Sequence, residues 1–152
     1  MTDPGEPLLE VRNLKKHFPI KGGILKRTTD YVKAVDGMSF TVDYGETMAL
    51  IGESGSGKST VAETIIGLQQ ATGGTIIFDG EDITNPSSDQ LQEMRSRIQM
   101  VFQDPTSSLN PRRTVGKSME VPMKSRGVPK EKREERISEL LDLVELNDEY
   151  LY

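Results

Sequence analysis

Residues 52–60 are the sequence feature that most constrains this chain. They read GESGSGKST, which fits the pattern G-x-x-x-x-G-K-[ST]. The glycines let the backbone adopt positive φ angles and approach an anion without an intervening Cβ. Successive backbone N–H groups can then point into one concavity, and a following helix adds the positive end of its dipole. We therefore predict that residues 52–60, the phosphate loop, bind phosphate between a strand and a helix.

The side chains of the phosphate loop add a nucleotide and a metal to this prediction. Lys58 supplies a point charge for β- and γ-phosphates, and the Ser59 hydroxyl is a hard oxygen ligand suited to Mg²⁺. Before the loop, residues 48–51 form a short apolar run that predicts a strand buried on both faces. The loop alone predicts a nucleoside triphosphate with magnesium. It does not choose among kinases, GTPases, motors and transporters.

Periodicity and turn residues predict the other elements. An amphipathic helix follows the loop, with Val61, Ile65 and Leu68 on one face, and a stop at Gly73-Gly74. Residues 19–30 lack a sustained period and predict a loop. The predicted strands are residues 9–18, 31–35, 38–42 and 75–78, residues 98–102 form another short apolar run, and turns are predicted at Gly45-Glu46 and Asp79-Gly80.

Two further helices are predicted toward the C-terminus. Ser87 and Gln90 have the spacing of a capping box, which predicts a helix that runs to about Arg97. Pro129 fits a first helical turn, and an apolar stripe follows it at helical spacing. The stripe consists of Ile137, Leu140, Leu141 and Val144. The mixed charges of residues 130–136 predict a solvated helix face.

Composition excludes several classes of protein. A net charge of −5 argues against a dominant electrostatic grip on nucleic acid or anionic lipid, and the absence of cysteine excludes disulfides. No apolar run approaches the roughly 18 residues that span a bilayer, and the N-terminus does not resemble a secretory signal. These features predict a cytoplasmic chain with no direct membrane insertion and no nucleic-acid partner, which can still bind a membrane protein from one side.

Other residues carry a resemblance to a known family. Residues 101–105 (VFQDP) and 108–112 (SLNPR) resemble the Q-loop region of ABC ATPases from the oligopeptide/dipeptide importer group. Residues 8–14, His17-Phe18 and residues 32–37, separated by a long insertion, are similar to the start of such proteins. The insertion, together with the start of the phosphate loop, resembles the second of the two paired ATPase subunits of these importers.

The resemblance implies a fold and a division into domains. The fold class is α/β, a P-loop NTPase core of ABC type with an antiparallel β-subdomain, C-terminally incomplete. Residues 1–7 would be a flexible N-terminus, residues 8–112 the β-subdomain with part of the core, and residues 113–152 the start of a helical subdomain. Strands that normally follow the family's signature motif would be missing. We therefore expect an exposed apolar sheet edge.

The resemblance also implies a set of site residues. Lys58 and Gln103 would be catalytic, with Gln103 sensing the γ-phosphate and the attacking water. Ser59 and Gln103 would reach Mg²⁺, and Phe18 would stack on adenine. Phe18 as a core-facing strand residue and Gln103 as a polar residue at a strand end are the alternatives. ATP would be bound by Phe18, Gly52, Glu53, Ser54, Gly55, Ser56, Gly57, Lys58, Ser59 and Thr60.

The family's function would then apply to this chain. It would be the ATP-binding subunit that energises a membrane importer of oligopeptides or dipeptides, at the cytoplasmic face of the cell membrane. Its partners would be transmembrane permease subunits and a second ATPase subunit, in a homodimer or a heterodimer. Import of nickel or another small solute is an alternative, because this subunit does not contact the cargo. A different P-loop NTPase, such as a kinase, is disfavoured by Gln103 and the SLNPR segment.

A departure from the family pattern limits the prediction of activity. The 49 residues after Gln103 contain neither an SGGQ signature nor a histidine. Asp79 ends a short apolar run, but the Asp79-Gly80 pair predicts a turn better than a metal site. His17, the single histidine, is predicted to be a surface strand residue. Hydrolysis would lack its usual acidic residues, so a non-catalytic ATP-binding remnant is the second alternative.

Overall fold

The computed structural model describes residues 6–22, 27–103 and 109–147. These residues belong to two compact units, Met1–Met100 and Val101–Tyr152. The first unit contains a sheet, two helices and the phosphate loop, and the second contains two helices. No helix in the described part of the chain is long and apolar enough to span a bilayer.

The sheet of the first unit has four strands in the order β2-β1-β3-β4. The strands are β1 (Leu9–Gly22), β2 (Arg27–Val42), β3 (Gly73–Phe78) and β4 (Glu81–Asp82), and every pairing is antiparallel. Strand β3 pairs with β1 only as far as Lys15, so the distal half of the β1–β2 hairpin extends beyond β3. The predicted antiparallel β-subdomain is confirmed.

The β1–β2 hairpin is longer than the sequence pattern predicts. The loop predicted over residues 19–30 is wrong, because pairing continues from Pro19 with Tyr31 to Gly22 with Arg27. The two strands predicted over residues 31–35 and 38–42 are one continuous strand. Each ladder hydrogen bond depends on a partner in the other strand, and residues 19–30 have no alternating pattern that would indicate this pairing.

Two helices pack on the sheet and complete the core of the first unit. Helix α1 is Lys58–Ile65 and helix α2 is Ser88–Arg97. The predicted capping box of α2 is present, since the Ser87 and Gln90 side chains each accept a hydrogen bond from the other residue's backbone N–H. The buried core consists of Val11, Leu14, Val35, Val61, Ile76, Ile83 and Met94.

Helix α1 ends earlier than predicted. Gly67 has φ of 69°, its N–H donates to the Thr64 carbonyl, and the Leu68 N–H donates to the Glu63 carbonyl. This pair of bonds is a Schellman motif, which satisfies the last carbonyls of the helix. The stop predicted at Gly73-Gly74 is therefore wrong, and these glycines instead begin β3.

The two apolar runs do not form strands. Residues 48–51 and 98–102 have no strand structure, and Ile51 and Val101 are each 91% exposed. The strand predicted over residues 48–51 is wrong, as is its burial. A strand needs a neighbour for its N–H and C=O groups, and the described sheet pairs neither run. The expected exposed apolar surface is found on irregular segments rather than on a sheet edge.

The second unit contains α3 (Val115–Ser125) and α4 (Lys130–Leu143). Helix α4 is confirmed, with Ile137 and Leu141 buried, although Val144 lies just past its end and is exposed. The sequence pattern gave no prediction of α3. The Thr114 side chain caps its first turn, and Pro122 lies inside it.

The predicted turn at Asp79-Gly80 is confirmed and is tied to two other elements. The Tyr44 hydroxyl and the Arg97 guanidinium both donate hydrogen bonds to the Asp79 carboxylate. These donors, Tyr44 first, hold the pKa of Asp79 below its usual value of 3.8. The Arg97 guanidinium also lies 5.0 Å from the centroid of the Phe78 ring. Asp79 thus joins the turn to the end of α2.

This contact predicts a loss of stability in acid. A carboxyl group with a lowered folded pKa stabilises the fold above its unfolded pKa, and this contribution disappears as the pH falls through the folded pKa. At pH 6 we expect Asp79→Asn to have a lower free energy of unfolding than wild type. This difference should vanish as the pH falls below the folded pKa of Asp79. Urea unfolding across this range measures it, with exposed Glu81→Gln as the control. A difference that is constant with pH would refute the contact.

Candidate nucleotide-binding site

The phosphate loop leads directly into α1, as predicted. Gly57 is the N-cap residue with φ of 91°, and the first helical hydrogen bond runs from the Val61 N–H to the Gly57 carbonyl. The N–H groups of Lys58, Ser59 and Thr60 consequently have no acceptor within the helix. They form the positive end of α1, where a phosphate group is stabilised.

A β-bulge in the hairpin holds the phosphate loop. Lys16 pairs with Val35 and His17 with Lys33, so Ala34 is an extra residue on β2. The carbonyl oxygen of Ala34 lies too close to the position of a Cβ on Gly57 for a side chain to fit, and the Val35 Cγ2 is 3.8 Å from that position. Only glycine fits this contact. The last glycine of the loop is therefore packed against β2 of the hairpin.

The Lys58 ammonium makes hydrogen bonds to the first half of the loop. Its Nζ donates to the carbonyl oxygens of Gly52 and Glu53, at 2.8 and 2.6 Å, and lies 3.2 Å from the Ser56 hydroxyl. The ammonium thus bridges the first half of the loop to the start of α1. Phosphate oxygens compete well for such a donor, because charge-assisted hydrogen bonds are stronger than bonds to neutral carbonyls.

Phe18 lies on the same face of the sheet as α1. Side chains alternate along β1, so Leu14 and Phe18 share a face, and Leu14 is buried with Val61 of α1. Phe18 is half-buried and pairs with Val32, two residues from Ala34. Two residues of extended chain span roughly 7 Å. Phe18 thus belongs to the part of the hairpin beside the bulge that contacts Gly57, and it lies outside the buried core.

Gln103 lies in the second unit, where it is exposed. Ser59, the other predicted magnesium ligand, is exposed in the first unit. The phosphate loop belongs to the first unit, and the role of Gln103 beside the phosphates remains a prediction. Asp104, Pro105 and Ser108 lie outside the described residues.

Acidic groups near the hairpin are engaged in ion pairs. His17 Nε2 and Lys33 Nζ lie 3.0 and 3.2 Å from the Asp36 carboxylate, and these two contacts lower the pKa of Asp36. His17 is a half-buried residue of β1. The described ranges contain no group of three or more histidine, cysteine, aspartate or glutamate side chains that could hold a metal ion.

Two residues near the loop and Phe18, Ala34 and Lys16, have no role that a sequence motif predicts. Ala34 contacts the loop only because of the bulge, which no local pattern announces. Lys16 lies over the ring of Phe18, with its Nζ 4.8 Å from the ring centroid. The spacing of two residues on a strand is a signal that could have identified Lys16, since such residues share a face.

Comparisons with known proteins place the chain among relatives of one kind. A family model described as ABC transporter matches residues 35–151. The chain is 45% identical over 147 residues to the oligopeptide transport ATP-binding protein AppF of Bacillus subtilis (strain 168), covering 95% of this chain and 45% of that protein. It is 44% identical over 149 residues to the glutathione import ATP-binding protein GsiA of Escherichia coli (strain K12), covering 97% of this chain and 24% of that protein. The chain thus spans less than half the length of these relatives.

Solved structures share the fold. The ATP-binding cassette MJ0796, in a dimeric post-hydrolysis state bound to ADP and Pi, matches with a TM-score of 0.72 and 24% identity, over 94% of this chain and 60% of that one. The cbiO1 protein of Clostridium perfringens, part of the complex cbiONQ, matches with a TM-score of 0.70 and 24% identity, over 93% of this chain and 51% of that one. The predicted fold class is confirmed by these likenesses.

Proposed function

Because this chain belongs to the ABC transporter family, we propose that it binds ATP at the phosphate loop and is part of the ATPase that energises a membrane importer. The packing of the loop against the β1–β2 hairpin is the observation that carries the proposal. It supports the proposal because the bulge that contacts Gly57 lies two residues along β2 from Val32, the partner of Phe18. A nucleotide has both an anionic and an aromatic part, and this arrangement offers a partner to each.

The residues of the chain have separate roles in this proposal. The N–H groups at the start of α1 and the Lys58 ammonium hold the phosphates and neutralise their charge. Phe18 stacks on the adenine base, which orients the nucleotide along the hairpin. Gln103 orients the water that attacks the γ-phosphate, so that its contribution is one of position rather than of covalent chemistry.

Magnesium fits the donors that the chain offers. Mg²⁺ prefers oxygen ligands and usually takes only one or two from the protein, with phosphates and waters completing its shell. In the first unit, the exposed Ser59 hydroxyl in the first turn of α1 is such a ligand. The Gln103 side-chain oxygen of the second unit has the same chemistry. When bound, the metal would neutralise charge on the phosphates.

We propose oligopeptides or dipeptides as the imported solute. The support is the name of the AppF relative, which is 45% identical, and the SLNPR segment. The name of GsiA concerns glutathione, itself a short peptide. Transmembrane permease subunits and a second ATPase subunit are the proposed partners, at the cytoplasmic face of the membrane. Import of nickel or another small solute is the alternative.

A non-catalytic ATP-binding role is the second candidate function. The acidic residue at the turn after β3, Asp79, is engaged by Tyr44 and Arg97 and is not available to a metal. The described residues contain no cluster of acids that could take its place. Binding of ATP without turnover is therefore kept as the alternative for the chain by itself.

Removal of the Lys58 ammonium tests the proposal. We expect Lys58→Ala to weaken binding of Mg-ATP by about 10- to 100-fold, because a charge-assisted hydrogen bond is worth roughly 1.5 to 3 kcal/mol. Isothermal titration calorimetry measures the affinity, with the exposed Lys130→Ala as a matched control. Equal affinities for wild type and Lys58→Ala would refute a nucleotide site in this loop.

A measurement of turnover separates the two candidate functions. Steady-state phosphate release from the wild-type chain is compared with release from Lys58→Ala under the same conditions. If the two rates coincide while the affinities differ, the chain binds ATP without hydrolysing it. A wild-type rate above that of the variant supports an ATPase.

A further inference from the structure

Lys16 makes two contacts that fix its side chain. Its Nζ lies 4.8 Å from the centroid of the Phe18 ring and donates a hydrogen bond of 2.8 Å to the carbonyl oxygen of Gln70. Gln70 follows the end of α1, so the ammonium connects the hairpin with the segment that leaves the helix. The side chain is half-buried, which limits the positions it can take.

The segment that receives Lys16 is itself attached to β1. The Thr72 N–H donates to the Lys15 carbonyl at 2.8 Å, and the His17 N–H donates to the Thr72 hydroxyl at 3.0 Å. Three hydrogen bonds therefore join residues 70–72 to consecutive residues of β1. The Gln70 carbonyl that accepts from the Lys16 ammonium is thus attached to the strand that carries Lys16 and Phe18.

A cation over an aromatic ring has two effects on that ring. The attraction to the π-face holds the ring in one orientation. The positive charge also draws electron density toward the face it covers, which makes the ring a better partner for an electron-rich base. Phe18 is only half-buried, so part of its surface remains accessible to a ligand. Lys16 occupies one part of the ring without closing the site.

We propose that Lys16 is a positioning residue that holds the Phe18 ring for stacking with a purine base. The proposal rests on the proposed function, in which Phe18 contacts adenine. Lys16 acts through Phe18 and through the Gln70 carbonyl, and it does not touch the phosphates. Its contribution should therefore appear only with ligands that carry a base.

Two probes isolate this contribution in the full chain. Mg-ATP has a base and phosphates, whereas Mg-tripolyphosphate has phosphates alone. We expect Lys16→Met, which keeps the length of the side chain and removes the charge, to weaken ATP binding by about two- to five-fold. Binding of tripolyphosphate should be unchanged. Lys16→Arg, which keeps a cation over the ring, should restore ATP binding.

The outcomes distinguish this inference from the proposed function. Phe18→Ala should lower the ratio of ATP affinity to tripolyphosphate affinity, and an unchanged ratio would overturn the stacking role of Phe18 itself. If Phe18→Ala lowers the ratio but Lys16→Met does not, Lys16 has no positioning role. If Lys16→Met weakens both ligands equally, its role is structural, and the inference is overturned as well.

Discussion

Gly57→Ala is expected to abolish nucleotide binding and to destabilise the first unit. A Cβ at this position would overlap the carbonyl oxygen of Ala34, which belongs to the backbone of β2 and cannot rotate away. The φ of 91° adds strain, roughly 1 to 2 kcal/mol for a residue with a Cβ. Because the loop must leave the hairpin to relieve the overlap, we expect the affinity for Mg-ATP to fall by more than about 100-fold.

Other glycines with positive φ provide matched controls. Gly55 lies in the same loop with φ of 80°, and Gly45 lies outside it with φ of 74°, and a Cβ at either would meet no atom within 4 Å. Gly55→Ala and Gly45→Ala thus carry strain without the overlap. We expect both to lower the free energy of unfolding by less than Gly57→Ala, and Gly45→Ala to leave ATP affinity unchanged.

Urea unfolding and calorimetric titration of the three variants separate strain from overlap. If Gly57→Ala destabilises the chain no more than Gly45→Ala does, the contact with Ala34 does not hold the loop. The packing of the loop on the hairpin, on which the proposed site depends, would then be wrong.

The loop and its helix could be predicted from sequence because their causes are local. The glycines, the lysine and the apolar stripe after them all lie within residues 52–68, and each acts on its near neighbours. The same holds for the capping box of Ser87 and Gln90, whose two hydrogen bonds join residues three apart. Such features depend little on the rest of the fold.

Features that depend on a pairing partner were predicted poorly. The hairpin extends to Gly22 because each residue of β1 finds a partner on β2, and nothing in residues 19–30 themselves indicates this pairing. The run of residues 48–51 has a strand composition, yet the described sheet gives it no neighbour. Composition indicates that a segment is suited to pairing, whereas the presence of a partner depends on the whole fold.

In the candidate site, too, some features have local causes and others depend on the rest of the fold. The phosphate-binding residues follow from one motif, but the contact between Gly57 and Ala34 follows from a bulge 23 residues earlier in the chain. Helix α3 was missed because Pro122 argues against a helix, although the Thr114 cap and the tertiary setting allow one. A local motif thus identifies the residues that bind phosphate. The packing that holds those residues depends on contacts that the motif does not contain.

We expect the packing of α1 against the β1–β2 hairpin to depend on Leu14 more than on any single exposed contact. Leu14 is 0% exposed and packs in the core with Val61 of α1, so it links the hairpin to the helix that carries the phosphate loop. We expect Leu14→Ala to lower the free energy of unfolding by about 2 to 5 kcal/mol, through lost burial and the cavity left behind. Urea unfolding of the full chain measures it.

The same substitution at an exposed leucine tests whether burial is the cause. Leu68 lies just past the end of α1 and is 50% exposed, so Leu68→Ala should change the free energy of unfolding by about 0.5 kcal/mol or less. Equal effects at the two positions would mean that Leu14 is not the core residue described here. A large effect confined to Leu14 would show that the hairpin and α1 share one core, which is the condition for a rigid phosphate loop beside Phe18.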